Sequence, residues 1–240
     1  QRRRGRGHRL ADLSITLSRQ RGRQENPMED LFIRWQKARP EYNNFNEDGI
    51  INKECWESMP SSKKILFILK ETNGLEGSLT SFLKNGGNST YYRTWNNIAR
   101  WAEIIISGTY LDKISQQQLH DSLQKVAAIN IKKQAGTSRS NRKIIFEVAD
   151  KDQQFLQEQI KKIDAEIIIT CGFNLVSSCL HDHIFKEPAD NWTINTDTGL
   201  WYYYSDLIRK NKKTTVISMP HPNRAGKNYT FKLKRLLQEI

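Results

Sequence analysis

Four apolar runs, each the length of a strand, are spaced along the chain with amphipathic segments between them. They are Ile65-Leu66-Phe67-Ile68-Leu69, Val126-Ala127-Ala128-Ile129-Asn130-Ile131, Glu166-Ile167-Ile168-Ile169-Thr170 and Thr214-Thr215-Val216-Ile217-Ser218-Met219. Continuous rather than alternating hydrophobicity marks strands covered on both faces. Strands that alternate with helices close right-handed crossovers into a parallel sheet. The expected fold class is therefore α/β, a three-layer αβα arrangement around a four-stranded, mainly parallel sheet.

Helical spacing of apolar residues predicts helices over 28–39, 51–59, 75–83, 90–106, 116–125, 143–163 and 174–184, and a last one from about residue 227. A Trp- and Tyr-rich stretch over 190–205, with Asp197-Thr198-Gly199 at its centre, reads as a hairpin insert whose alternating aromatics pack on one face. No fixed-period repeat occurs.

Charge divides unevenly. Residues 1–27 hold eight arginines against Asp12 and Glu25, which is +6, half of the formal +12 of the chain. This tail reads as a disordered, dispensable segment, with a phosphate-binding arm as the alternative, and Met28 directly after it stands where a natural start would. Residues 28–240 are expected to form a single domain, large enough to bury a core without disulfide staples. Their own +6 favours a polyanionic partner. Cys55, Cys171 and Cys179 are irregularly spaced and read as buried thiols of a reducing cytoplasm. No apolar run approaches the roughly 18 residues of a membrane-spanning helix, so no membrane partner is expected.

In a parallel sheet the ligand site lies outside the carboxyl ends of the strands. The loops there offer Glu71, Thr72 and Asn73, then Asn130 with Lys132 and Lys133, then Gly172 with Asn174, then His221 with Asn223 and Arg224. A carboxylate, an amide, a histidine and several cations at one edge make up a hydrolytic or lyase site for an anionic substrate. Neither GxGxxG, GxxxxGK[ST] nor a serine elbow is present. Each residue has a plainer reading: Glu71 as a helix cap or ion-pair partner, Asn130 as a turn cap. His221, between two prolines, is an odd choice for a core histidine. His181 and His183 flank Asp182 at i and i+2, positions that do not face each other on a helix, so no metal site is expected.

The ordered set of strand ends resembles the uracil-DNA glycosylase superfamily. Residues 65–74 (ILFILKETNG) are similar to its first motif, 127–136 (AAINIKKQAG) to its middle Asn-containing element, 166–172 (EIIITCG) to the following strand, and 216–224 (VISMPHPNR) to its second motif. The similarity runs in order and spacing over residues 63–240. The resemblance implies that Glu71 orients water or stabilises an oxocarbenium-like sugar, that Asn130 reads a pyrimidine edge, and that His221 donates to the base oxygen that gathers charge. It further implies that Arg224 presses on the minor groove or phosphates during base flipping.

Thr72 and Asn73 stand beside the base, where the family usually carries a proline. Lys132, Lys133 and Arg139 complete the expected DNA contacts. Phe82 and Tyr91 are the candidate stacking rings. Lys70 replaces the usual glycine of the first motif, and Gly74 falls where the most uracil-selective branch places a bulky tyrosine. A modified pyrimidine is thus favoured over plain uracil. The resemblance extends to superfamily members that remove glucosylated hydroxymethylcytosine from bacteriophage genomes. The cysteines of the iron–sulfur branch are missing, so no cofactor is expected.

The expectation is a monomeric, cytoplasmic, monofunctional DNA glycosylase. The alternatives are a catalytically silent nucleic-acid-binding module of the same fold, a plain uracil-DNA repair glycosylase, and a small-molecule hydrolase or transferase unrelated to DNA.

Overall fold

The computed structural model describes residues 27–75, 77–86, 89–111, 113–137 and 140–240. In chain order its strands are β1 (Gly49–Ile50), β2 (Ile65–Leu69), β3 (Ala127–Asn130), β4 (Ile167–Cys171), β5 (Thr193–Ile194), β6 (Trp201–Arg209) and β7 (Lys212–Met219). The helices are α1 (Pro27–Ala38), α2 (Lys53–Ser58), α3 (Leu79–Asn85), α4 (Arg93–Ser107), α5 (Gln116–Gln124), α6 (Arg142–Lys151) and α7 (Gln153–Ile163). They continue with α8 (Val176–Ser178), which runs into a π-helical segment at Cys179–Phe185, and α9 (Asn228–Glu239).

All strands join one mixed sheet in the order β1-β3-β2-β4-β7-β6-β5. The four apolar runs occupy its centre as parallel neighbours, with Leu66 opposite Ala127 and Ile168, and Ile168 opposite Val216. The four-stranded expectation is too small: β1 adds antiparallel to β3 at one edge, and β6 and β5 add antiparallel beyond β7. The stretch over 190–205 does form the expected hairpin, β5 paired with β6, but β6 extends to Arg209 and hydrogen-bonds along β7, so the hairpin is an edge of the sheet.

Alternate side chains of each central strand enter opposite cores. Leu66, Ile68, Ala127, Ile129, Ile168 and Val216 pack with Trp35 of α1, Ile145 of α6, Ile160 of α7 and Leu180. Ile65, Phe67, Leu69, Ala128, Ile169 and Ile217 pack with Leu83 of α3, Trp101 of α4, Leu123 of α5 and Leu233 of α9. Each fully buried Ile or Leu contributes about 1.5–3 kcal/mol, which is why runs apolar on both faces must be covered on both faces.

Right-handed crossovers fix which helices lie where. From β2 the chain moves outward to β3 through α3, α4 and α5 on one face. It then crosses back over β2 to β4 through α6 and α7 on the other face. This reversal puts a topological switch between β2 and β4, the place where a crevice opens at the strands' carboxyl ends.

The expected single helix over 143–163 is two helices. Asp152 breaks it: fully buried, it accepts from Arg39 Nε and from the Tyr42 hydroxyl, both at 2.7 Å. Among the described residues no helix is long and apolar enough to cross a membrane.

Candidate active site

The loops after β2 and β3 are joined as a second, irregular ladder beyond the sheet. The Ile131 N–H donates to Leu69 O (3.0 Å), Lys132 N–H to Lys70 O (2.9 Å), Gly136 N–H to Thr72 O (2.7 Å) and Gly74 N–H to Gly136 O (3.3 Å). Inside this ladder lies the Glu71 carboxylate, with its side chain 5% exposed. Lys132 Nζ donates to its Oε2 at 2.8 Å and the Ser140 hydroxyl donates to Oε1. Gly136 runs so close that a Cβ there would stand 2.1 Å from Glu71 Cδ. Only a residue without a side chain lets the two loops close over that carboxylate.

Asn130 ends β3 with 2% of its surface exposed. Its backbone is clamped: the N–H donates to Asp48 Oδ2 (2.7 Å) and the carbonyl accepts from Lys133 Nζ (2.7 Å). Asp48 in turn takes Lys133 Nζ (2.6 Å) and Gln159 Nε2 (2.8 Å) on Oδ1. The side-chain Nδ2 of Asn130 has no hydrogen-bond partner. An orphaned buried donor costs about 1–3 kcal/mol, and Asn130 lines the cleft at the strands' carboxyl ends, so an acceptor bound there can satisfy it.

The sequence reading of Lys133 as a DNA contact is corrected here. Its ammonium is wholly buried, and burial pulls its pKa down against the opposing pull of Asp48. It holds β3's end in place and cannot meet a phosphate.

His221 follows β7 between Pro220 and Pro222. Its Nδ1 accepts the Asn223 N–H at 3.3 Å, which leaves Nε2 to carry the proton of the neutral ring. Burial, then the positive charges of Lys70 and Arg224, lower its pKa to about 4. At neutral pH it is an uncharged Nε2–H donor.

Glu71, Asn73, Asn130 and His221 line one cleft of about 530 Å³, walled by Phe82, Tyr92 and Trp95. It lies at the carboxyl ends of β2, β3 and β7. The rings of Phe82 and Tyr92 stand 6.0 Å apart at 58°. A Cβ built at Gly74, which also lines the cleft, meets nothing within 4 Å.

The other expected residues are placed differently. Thr72 lines the cleft, yet its hydroxyl lies 2.7 Å from Asn46 Oδ1 and ties the loop to that buried amide. Tyr91 is 68% exposed and lies outside the lining, where its neighbour Tyr92 stands instead. Lys132 is engaged by Glu71, and Arg224 is exposed beside the cleft rather than in it. Arg139 lies outside the described residues. Asn46, Asp48, Gly136 and Arg93 carry no signal in the sequence: Asn46 to Gly49 reads as a polar turn, and Gly136 as a loop glycine.

No protein-family model and no curated protein matches the chain. Among the described residues no group of three or more His, Cys, Asp or Glu side chains is arranged to hold a metal ion. His181 and His183 turn to separate carboxylates, Asp182 and Asp150.

Proposed function

We propose that the chain is a monofunctional DNA glycosylase of the uracil-DNA glycosylase type, which extrudes a pyrimidine and hydrolyses its N-glycosidic bond to leave an abasic site. One observation carries this reading. An orphaned, buried amide donor and a neutral histidine donor meet a carboxylate in a single aromatic-walled cleft at the switch of the sheet.

The roles follow from the chemistry. Asn130 Nδ2 donates to a carbonyl on the pyrimidine edge. As the bond from the anomeric carbon to the base nitrogen breaks, its electron pair moves onto the base, and His221 Nε2–H stabilises the oxygen where that charge gathers. The sugar becomes oxocarbenium-like, and the Glu71 carboxylate offsets its positive charge. Water then adds to the anomeric carbon, oriented by Asn73 and Glu71, and its proton leaves for the departing base or solvent. Phe82 and Tyr92 hold the extruded base by stacking, worth about 1–3 kcal/mol per base. The open space beside Gly74 supports a base substituted at carbon 5, and glucosylated hydroxymethylcytosine of bacteriophage DNA is the first such substrate to try.

The test is to incubate the protein with genomic DNAs containing unmodified cytosine, uracil or hypermodified cytosine and to count abasic sites as alkali-labile breaks. Breaks confined to the hypermodified DNA support the whole proposal, and breaks confined to uracil DNA make it a repair glycosylase. DNA binding without breaks in any substrate overturns the enzyme reading in favour of a silent binding module, a reading favoured by the hold of Lys132 and Ser140 on Glu71. Glu71→Gln separates the two further. The enzyme slows while binding DNA equally or more tightly, whereas the module only binds more tightly.

A further inference from the structure

The first turn of α4 opens into the same cleft through Arg93, Thr94 and Trp95. Tyr92 precedes it in extended conformation, and its side chain forms no cap. The first helical bond runs from Asn96 N–H to Tyr92 O at 2.9 Å. The N–H groups of Arg93, Thr94 and Trp95 therefore have no protein acceptor among the described residues. Side-chain caps from Asn52, Ser78, Ser115 and Asn141 open α2, α3, α5 and α6, whereas α4, like α7, α8 and α9, has none among the described residues, and of these uncapped starts it is the one that lines the cleft. Bare N–H groups at the positive end of a 15-residue helix form an anion site.

The orphaned Asn130 Nδ2, buried in the same cleft, is an independent sign that a ligand completes this space. Arg93 adds a full charge, with no carboxylate paired to it among the described residues. One of its Nη atoms donates to Ala225 O at 3.2 Å, which fixes the guanidinium against the loop that carries His221. Arg93 also lines a neighbouring cavity of about 260 Å³, where Arg100 and Lys227 are the other cations. The single carboxylate there, Glu103, is engaged by the Ser122 hydroxyl at 2.6 Å. Positive charge thus continues out of the cleft over Arg93 toward Arg100 and Lys227, in addition to Lys70 and Arg224 near His221.

We propose that the first turn of α4 and Arg93 form a phosphodiester subsite, and that a bound DNA strand leaves the cleft over Arg93 toward Arg100 and Lys227. The inference rests on the cleft being a nucleotide site, with base at Asn130 and phosphate at α4. It does not require that the glycosidic bond be cut.

The experiment uses the full chain and a short single-stranded DNA carrying one target base, read by excision and by fluorescence anisotropy across salt. Arg93→Gln is expected to raise the DNA concentration for half-maximal rate about tenfold, the effect of losing one charge-assisted contact. The rate at saturation stays within about twofold, and the salt slope falls by about one. Arg93→Pro suits the helix start, because Tyr92 is already extended (φ −74°, ψ 127°), and it removes one N–H as well, so it weakens binding further. Lys161→Gln, near the opposite end of the strands, leaves every reading unchanged. Replacing one phosphate beside the target base with an uncharged methylphosphonate weakens binding in wild type more than Arg93→Gln does, and in Arg93→Gln it adds only the smaller loss that belongs to the first-turn N–H groups.

Excision with an unaltered half-maximal concentration and salt slope in Arg93→Gln overturns the subsite and leaves the glycosylase standing. No excision in wild type, with the same Arg93-dependent binding by anisotropy, keeps the subsite and removes the glycosylase. Because Arg93 also holds Ala225, melting of each variant is recorded. A loss of binding in a variant that melts like wild type supports the proposal, and equal loss in Arg93→Lys and Arg93→Gln, with the charge kept in one of them, overturns it.

Discussion

At His221 one proton separates two electrostatic states of the cleft. The folded chain holds the ring neutral, with a pKa lowered to about 4, whereas the unfolded chain titrates near 6.5. Between those values the unfolded state binds the proton that the folded state refuses, so this contribution to stability is complete above pH 6.5 and declines as pH falls toward 4. His221→Asn should flatten that part of the melting-temperature profile, and an unchanged slope between pH 4 and 6.5 would show that the ring is not held neutral. For activity, His221→Ala is expected to lower single-turnover excision by about 10²–10³-fold with little change in DNA affinity, the usual effect of losing one donor to a developing oxyanion. Gly136→Ala tests the neighbouring carboxylate. A Cβ 2.1 Å from Glu71 Cδ forces the side chain off Lys132 and Ser140, and excision should drop as far as in Glu71→Gln. Wild-type rates in Gly136→Ala would mean that the position of Glu71 is not used. Glu71, Asn130 and His221 are legible in the sequence because polar residues that directly follow apolar strands must emerge at one sheet edge. Gly136 is not, since its meaning is a distance to a residue 65 positions earlier in the chain.

Elements were legible in proportion to how far local pattern outweighs tertiary contact. The four central strands have apolar runs with no competing helical period. Helices with a cap residue, such as Ser115 with its capping box to Gln118, begin near where spacing predicts. The failures are tertiary. Helical spacing runs unbroken across Asp152, and only Arg39 and Tyr42, more than a hundred residues earlier, make a break there favourable. β1 is two residues long and exists only by pairing with Ala127 and Ala128. Lys133 looked like a phosphate contact because its partner Asp48 lies in a stretch with no pattern at all. The corrected role has a measurable consequence. Lys133→Met leaves Asp48 as an uncompensated buried charge and should cost about 3–5 kcal/mol in urea unfolding, while Asp48→Asn combined with Lys133→Met, which removes the charge and keeps an acceptor for the Asn130 N–H and Gln159, recovers part of the loss. The salt dependence of DNA binding should not change in Lys133→Met. A fall of about one in that slope would place the ammonium at a phosphate after all.

At the scale of the whole molecule, the two cores among the described residues draw on residues from Met28 onward, one core on each face of the sheet. The cleft sits where the two crossover directions diverge, so its parts come from the ends of β2, β3 and β7 and from α3 and α4, which follow β2. Removal of residues 1–26 takes away eight arginines, Asp12 and Glu25, and the remaining chain keeps a net charge of +6. If the cleft is the site of specific recognition, as proposed, the shortened chain keeps its excision rate at saturating DNA and melts within a few degrees of the full chain. Nonspecific DNA affinity, which scales with the number of phosphates neutralised, falls, and its salt slope falls with it. Thermal melting and salt titration of the two chains side by side decide the matter. A drop of more than about 10 °C, beyond what roughly 2 kcal/mol would produce in a domain of this size, would make the segment part of the folded domain. Loss of excision at saturating DNA with the melt unchanged would instead make it part of the catalytic assembly.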